Sequence, residues 1–219
     1  MPRSRVRSWL ATSLGVAAGL SLLWIGVGAY ARVRTDEVTY ETAVTLDGVE
    51  IRRYPETVVA RTRADDLGTA FGRLFRYIEG NNRADETVAM TAPVATQPEA
   101  LVPRSESIPM TAPVATEETD EGTGMAFYLP EEYTVESAPV PDDPAVSVER
   151  EPSRTLAVLP FSWYATDRRV ERKERRLLDC LDDHGLTTVG EPFLLRYDAP
   201  WTPPFMRRNE VAVSVVSGE

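Results

Sequence analysis

From Trp9 to Ala31 the chain reads WLATSLGVAAGLSLLWIGVGAYA, 23 residues without a charged side chain. As a helix rising 1.5 Å per residue, such a stretch spans a hydrocarbon core of about 30 Å with some tilt. Trp9 and Tyr30 stand near its ends, where amphipathic rings favour the membrane interface. A cleaved signal peptide is the competing reading, and Ala29-Tyr30-Ala31 fits a small-x-small cleavage site. The apolar run exceeds the roughly 7–15 residues of a signal core, which favours an uncleaved anchor. Arg3, Arg5 and Arg7 precede it and Arg32 and Arg34 follow. That bias leans toward a single-pass membrane protein with its domain on the outer face. The expected organisation is a basic flank (1–8), a transmembrane helix or signal anchor (9–31), a linker (32–37) and one domain (38–219).

Charge divides the same way. Residues 1–34 hold five of the 24 basic side chains and no acid, so 19 remain against 34 Asp and Glu, a net −15. A domain this acidic repels phosphate backbones, which excludes nucleic acid as a main partner. Lys173 is the only lysine. Acid excess with almost no lysine suits concentrated salt, which screens self-repulsion. Codon bias toward arginine is the alternative, although it leaves the acidity unexplained.

Within the domain, Val38–Leu46 and Val49–Tyr54 flank Asp47-Gly48, a hairpin signal, and Thr57–Ala64 continues as a strand after Pro55. Leu67, Ala70, Phe71, Leu74, Phe75 and Ile78 repeat at three and four, with Asp65 or Asp66 as cap and Gly80 as stop. A second helix is expected from about Thr166 to His184, closed by Gly185. Its Val170, Leu177, Leu178 and Leu181 share one face. The basic run of Arg168, Arg169, Arg172, Lys173, Arg175 and Arg176 reads as a solvated face balanced by five acids, in preference to an anion-binding or acidic-lipid patch. Further strands are expected at Met125–Leu129, Ala145–Arg150, Leu156–Phe161, Phe193–Asp198 and Val211–Val216. Strands, helix, strands therefore occur twice, which predicts an α+β fold of two similar halves with a mostly antiparallel sheet.

Met-Thr-Ala-Pro-Val-Ala-Thr appears at 90–96 and again at 110–116. Each copy is strand-like but broken by proline, which fits an edge or a bulge. The polar, acidic stretches Gln97–Ser107 and Glu117–Gly124, between and after the copies, are expected to be mobile.

No constellation for catalysis is present. The one histidine lies outside any Ser or Cys triad context, and there is no Gly-rich phosphate loop. Cys180 is the lone cysteine and reads as a small packed residue, and no spacing reads as a metal site. A binding protein, not an enzyme, is expected.

Several motifs stand in order along the domain: Glu50-Ile51-Arg52 with Tyr54, and Tyr77 to Asn82 at the first helix end. The Met-Thr-Ala-Pro-Val motif at Met90 and Met110, Phe127 to Pro130 with Tyr133, and Pro139 to Asp142 with Val146 follow. Phe161-Ser162, Tyr197 to Pro200, Pro203-Pro204 and Arg207 to Val211 complete the set. Together they resemble the SOUL, or haem-binding-protein, family. The resemblance runs from about Tyr40 to Val215 and implies a distorted antiparallel β-barrel flanked by two helices. It also implies non-covalent binding of haem or a related tetrapyrrole in an apolar cleft, for haem buffering or transfer. The alternative is a module for another hydrophobic small ligand or a partner protein, without haem.

Two departures bear on this. Trp163 stands where the family has a glycine after Phe161-Ser162, and His184 matches no family ligand motif. Haem iron is held by His, Cys, Met or Tyr. His184 reads instead as a helix C-terminal residue, and Met90 and Met110 as packing residues. Haem would then be held by burial of the macrocycle and by arginines on its propionates. The residues expected to form that site are Met90, Pro93, Met110, Pro113, Phe127, Phe161 and Trp163, with Arg52, Arg207 and Arg208 for the propionates.

Overall fold

The computed structural model describes residues 36–84, 105–119, 122–198 and 202–216. The expected membrane segment at 9–31 and the first repeat, with Met90 and Pro93, lie outside the described residues. Among the described residues no helix is long and apolar enough to cross a membrane.

Helix α1 (Leu67–Ile78) begins where its sequence predicts. The Asp66 carboxylate accepts from the Thr69 backbone N–H at 3.0 Å, satisfying a donor that the first turn leaves orphaned. Gly80 closes it at φ +107°, a conformation an L side chain resists. Helix α2 (Asp167–Asp183) runs between Thr166 and His184, with Gly185 at φ +67° behind it.

The strands are β1 (Asp36–Glu37), β2 (Glu41–Leu46), β3 (Val49–Tyr54), β4 (Thr57–Ala64), β5 (Asn82–Arg83), β6 (Thr111–Thr119) and β7 (Gly122–Tyr128). The second half supplies β8 (Val140–Pro141), β9 (Val146–Glu151), β10 (Arg154–Phe161), β11 (Thr188–Arg196) and β12 (Asn209–Val215). Ten of these form one sheet in the order β2-β3-β10-β12-β11-β6-β7-β4-β9, with β1 joining β6 in parallel. Exchanging the halves (β3 for β9, β4 for β10, β6 for β11, β7 for β12) reverses this order onto itself, apart from β2. The two similar halves are therefore related by a pseudo-twofold between β6 and β11, where Leu194 faces Thr116.

The expected barrel is not closed. No ladder joins β2 to β9, so the sheet keeps two edges. It is nevertheless sharply curled. The Arg154 guanidinium on β10 donates to the Tyr128 hydroxyl on β7 at 2.8 Å, although three strands lie between them. In a flat sheet they would stand roughly 19 Å apart at about 4.8 Å per strand. The two-residue links Pro55-Glu56 and Pro152-Ser153 force this, because each joins strands from opposite ends of the order. The edges are blunted by polar side chains: β2 is largely exposed, and β9 carries Glu149, Arg150 and Glu151.

Two other expectations are corrected. Residues 117–119 and 122–124, expected to be mobile, lie in strands; Glu117 pairs with Gly124 and Thr119 with Gly122, extending a hairpin whose cross-strand bonds outweigh the polar composition. Strand β11 starts at Thr188, five residues before the expected start, because a register shift between Val189 and Phe193 absorbs Gly190 and Pro192. In β6 the second repeat lies inside the sheet. Pro113 falls in the register shift between Thr111 and Val114, the bulge that proline requires, and its peptide bond is cis.

Both helices cover one face of the sheet. Leu177, Cys180 and Leu181 of α2 pack on Ala157, Leu159, Phe161, Val211 and Val213. Ala70, Leu74, Tyr77 and Ile78 of α1 pack on Ala60, Met125 and Phe127. The alternate residues, among them Tyr54, Val59, Tyr128, Leu156, Val158, Leu195 and Ala212, meet on the helix-free face inside the curl.

Candidate functional site

The helix-free face has two ends. At one, Glu210 is fully buried and accepts from three side chains. Arg52 gives two bonds (2.9 and 3.1 Å), the Tyr197 hydroxyl one at 2.6 Å, and Arg208 approaches at 2.9 Å. Arg52, 2% exposed, also donates to Glu50 at 2.8 Å and lies over the Tyr40 ring at 4.3 Å. Burial opposes the Arg52 charge, but the hydrogen bonds and attraction of Glu210 more than offset it and hold the guanidinium above its usual range. Burial pushes the Tyr54 phenol up to about 12 and drives Tyr197 higher still. The cluster is self-satisfied and holds its charges among its own members, which suits it to fix the sheet rather than receive a ligand.

At the other end a groove of about 380 Å³ opens. Tyr128, Ala115, Ala126 and Phe193 supply apolar wall, and Arg61, Arg63 and Arg154 supply positive charge. Arg154 bonds Glu151 at 2.8 Å and Tyr128 at 2.8 Å, and passes over the Phe193 ring at 5.3 Å. Arg61 reaches the same Glu151 at 2.6 Å and Glu149 at 3.4 Å. Two guanidiniums thus share the Glu151 carboxylate, half-sheltered at the edge of an apolar depression. Burial raises the Tyr128 phenol above its ordinary value, so it stays protonated. Glu117 and Glu191 complete the rim. The lining combines aromatic wall with guanidiniums, the donors that carboxylates take.

A larger hollow, about 730 Å³, lies between β1, the β3–β4 link and residues 129–135. Asp36, Glu37, Glu56, Glu131 and Glu132 rim it against Arg150. An anionic ligand is repelled there.

None of the expected site residues that the structure describes lines either hollow. Phe127 and Phe161 point to the opposite face, into the cores beneath α1 and α2. Pro113 is buried, whereas Met110 and Trp163 are exposed, Trp163 at φ +79°. Arg52 and Arg208 belong to the Glu210 cluster. Arg207 donates to the Thr202 carbonyl at 2.9 Å and stacks over Tyr164 at 4.7 Å. The groove residues were accessible through parity alone. Tyr128 is the neighbour of Phe127, and a shift of one residue changes the face of a strand. Arg61 and Arg154 carried no composition signal in an arginine-rich chain.

No curated protein matches this chain. Among solved structures it is similar to EcmrR in a cryo-EM complex with DNA, at 12% identity and TM-score 0.50, covering 95% of this chain and 70% of that one. It is also similar to a hydrolase from Listeria innocua, at 10% identity and TM-score 0.50, covering 80% and 94%. An uncharacterized conserved protein from Listeria innocua gives 10% identity, TM-score 0.50 and coverage of 79% and 94%. At these identities the likeness is one of fold. The sequence profile of the SOUL heme-binding protein family matches twice, over residues 35–106 and 102–214. The chain therefore belongs to the SOUL heme-binding protein family.

Proposed function

We propose that the domain binds haem or a related tetrapyrrole non-covalently in the groove on the helix-free face, as a binding protein rather than an enzyme. The observation that carries this reading is the pair Arg61 and Arg154 converging on one carboxylate beside Tyr128 and Phe193. Porphyrin propionates compete for those guanidiniums, and the macrocycle lies against the two rings. The groove is at the lower end of the roughly 300–1,000 Å³ typical of small-molecule sites, so the ligand lies partly across its mouth. Membership of the family supports the ligand class. In the same proposal the apolar stretch 9–31 holds the domain at the outer face of a membrane, where it buffers or hands over haem.

Titration of haemin into the full-length chain in high salt tests this. A Soret shift saturating near one equivalent is expected, weakened in Arg61→Ala and Arg154→Ala and unchanged in Arg207→Ala. Binding no tighter than to an unrelated acidic protein would sink the reading. A second reading, a hydrophobic ligand without iron, rests on one observation: the chain's only histidine does not line the groove. Protoporphyrin binding tighter than haemin would favour it.

A further inference from the structure

Three side chains of metal-binding type converge away from both hollows. Cys180 and His184 are four residues apart and so share one face of the last turn of α2. Asp47 reaches them from the β2–β3 turn, where it adopts φ +50° ahead of Gly48 at +86°. The turn is tied to the helix by Arg176 donating to the Asp47 carbonyl at 3.4 Å and the Cys180 thiol to the Leu46 carbonyl at 3.5 Å. Cys180 Sγ lies 3.9 Å from His184 Nδ1, His184 Nε2 lies 3.8 Å from Asp47 Oδ2, and a set of one donor atom from each residue fits within 4.8 Å.

We infer that Asp47, Cys180 and His184 form a three-ligand site for a thiophilic divalent cation of the zinc class. His184 Nδ1 is 2.8 Å from the Cys180 carbonyl, so its N–H donates there and leaves the Nε2 lone pair facing Asp47. A backbone carbonyl holding the far nitrogen is the usual way a ligating imidazole is oriented. Thiolate, imidazole and carboxylate are the donors zinc takes, at about 2.0–2.3 Å, which places ligand atoms roughly 3.3–3.7 Å apart. The carbonyl end of α2, with its partial negative charge, favours a cation here. Asp183 adds to this attraction and Arg176 opposes it. Asp47 is 80% exposed and His184 about a third, so the fourth position faces water.

The Sγ–metal bond forms as the thiol proton passes to solvent.

The test uses the full-length chain in detergent under reducing conditions, with Co²⁺ as spectroscopic probe. A thiolate-to-cobalt charge-transfer band saturating at one equivalent and displaced by Zn²⁺ is expected. Cys180→Ser abolishes the band, and Asp47→Asn and His184→Ala weaken binding tenfold or more. Asp47→Asn suits the left-handed turn, so its fold is preserved; circular dichroism checks all three variants. Absence of the band, or a band unchanged in both Asp47→Asn and His184→Ala, would overturn the site. Haemin titration of Asp47→Asn is expected to match the wild type, so this site and the groove fail or stand separately.

Discussion

The two ends of the helix-free face occupy equivalent places in the fold and differ in chemistry. Strand registers match Glu210 with Gly124, since Glu210 opposes Pro160 on β10 and Gly124 opposes Arg63 on β4. By the same pairing Val158 matches Arg61, and Leu195 matches Glu117. Counting back from the two-residue links, Arg52 and Tyr54 match Glu149 and Glu151. One end therefore has an acid at its centre, clasped by arginines and sealed by phenols. The other lacks that central side chain, and its charges are inverted in order: carboxylates on β9 face an arginine on β4. A buried acid seals one end and a glycine opens the other. The lesson is that a scaffold of two similar halves can close one end with a charge cluster and leave the other as an open groove by changing a few inward positions.

Breaking the sealed end should have the largest effect. Glu210→Ala strands the Arg52 charge in the interior and is expected to lose about 3–5 kcal/mol in chemical denaturation. Copying that acid into the open end sharpens the contrast. Gly124→Glu has ordinary contacts for its Cβ, the Glu117 carbonyl being 3.6 Å away. It should fill the groove and cut haemin affinity tenfold or more, with far less effect on stability than Glu210→Ala. Arg154→Ala removes one guanidinium and should weaken haemin binding roughly three- to tenfold, as expected for about 1 kcal/mol of charge-assisted bonding.

The smallest effect is on the alkaline side. Tyr54 is raised from 10 to about 12 by burial. The unfolded chain therefore gives up this proton first, so the stability linked to it is complete below pH 10 and is lost as pH rises toward 12. Tyr54→Phe should flatten that limb in denaturation curves collected from pH 9 to 12; an unchanged slope would place the effect elsewhere.

Much of this architecture was readable locally. Asp66 and Gly80 bound the first helix as their chemistry demands, Thr166 and His184 bound the second, and the proline of the second repeat marks a bulge. What could not be read is how strands distant in sequence meet. The pairings β3–β10 and β4–β9 join segments about a hundred residues apart, and no periodicity encodes them. The groove was hidden for a related reason. Alternation tells which residues share a face, but not which face the helices will cover. The motifs of the resemblance singled out Phe127 and Phe161, and large rings are what a helix-covered core selects. Trp163, by contrast, was recognisable as unusual against the glycine that the resemblance implies, and is unusual in place as well, half exposed in a left-handed backbone conformation that an L side chain resists.

The exchange of strands between halves governs how the molecule can be assembled. As the first half emerges from synthesis, β3 and β4 each have a side with no neighbour until β9 and β10 arrive. Neither half is a complete folding unit, and no cut between residues 128 and 146 should yield two stable pieces. Acquisition of the native state must wait for contacts of long sequence separation, which makes it slow relative to helical domains of this size. In the interval the bare ladders invite pairing with other chains, so expression yield should depend more on how quickly the second hairpin docks than on the final stability of the fold.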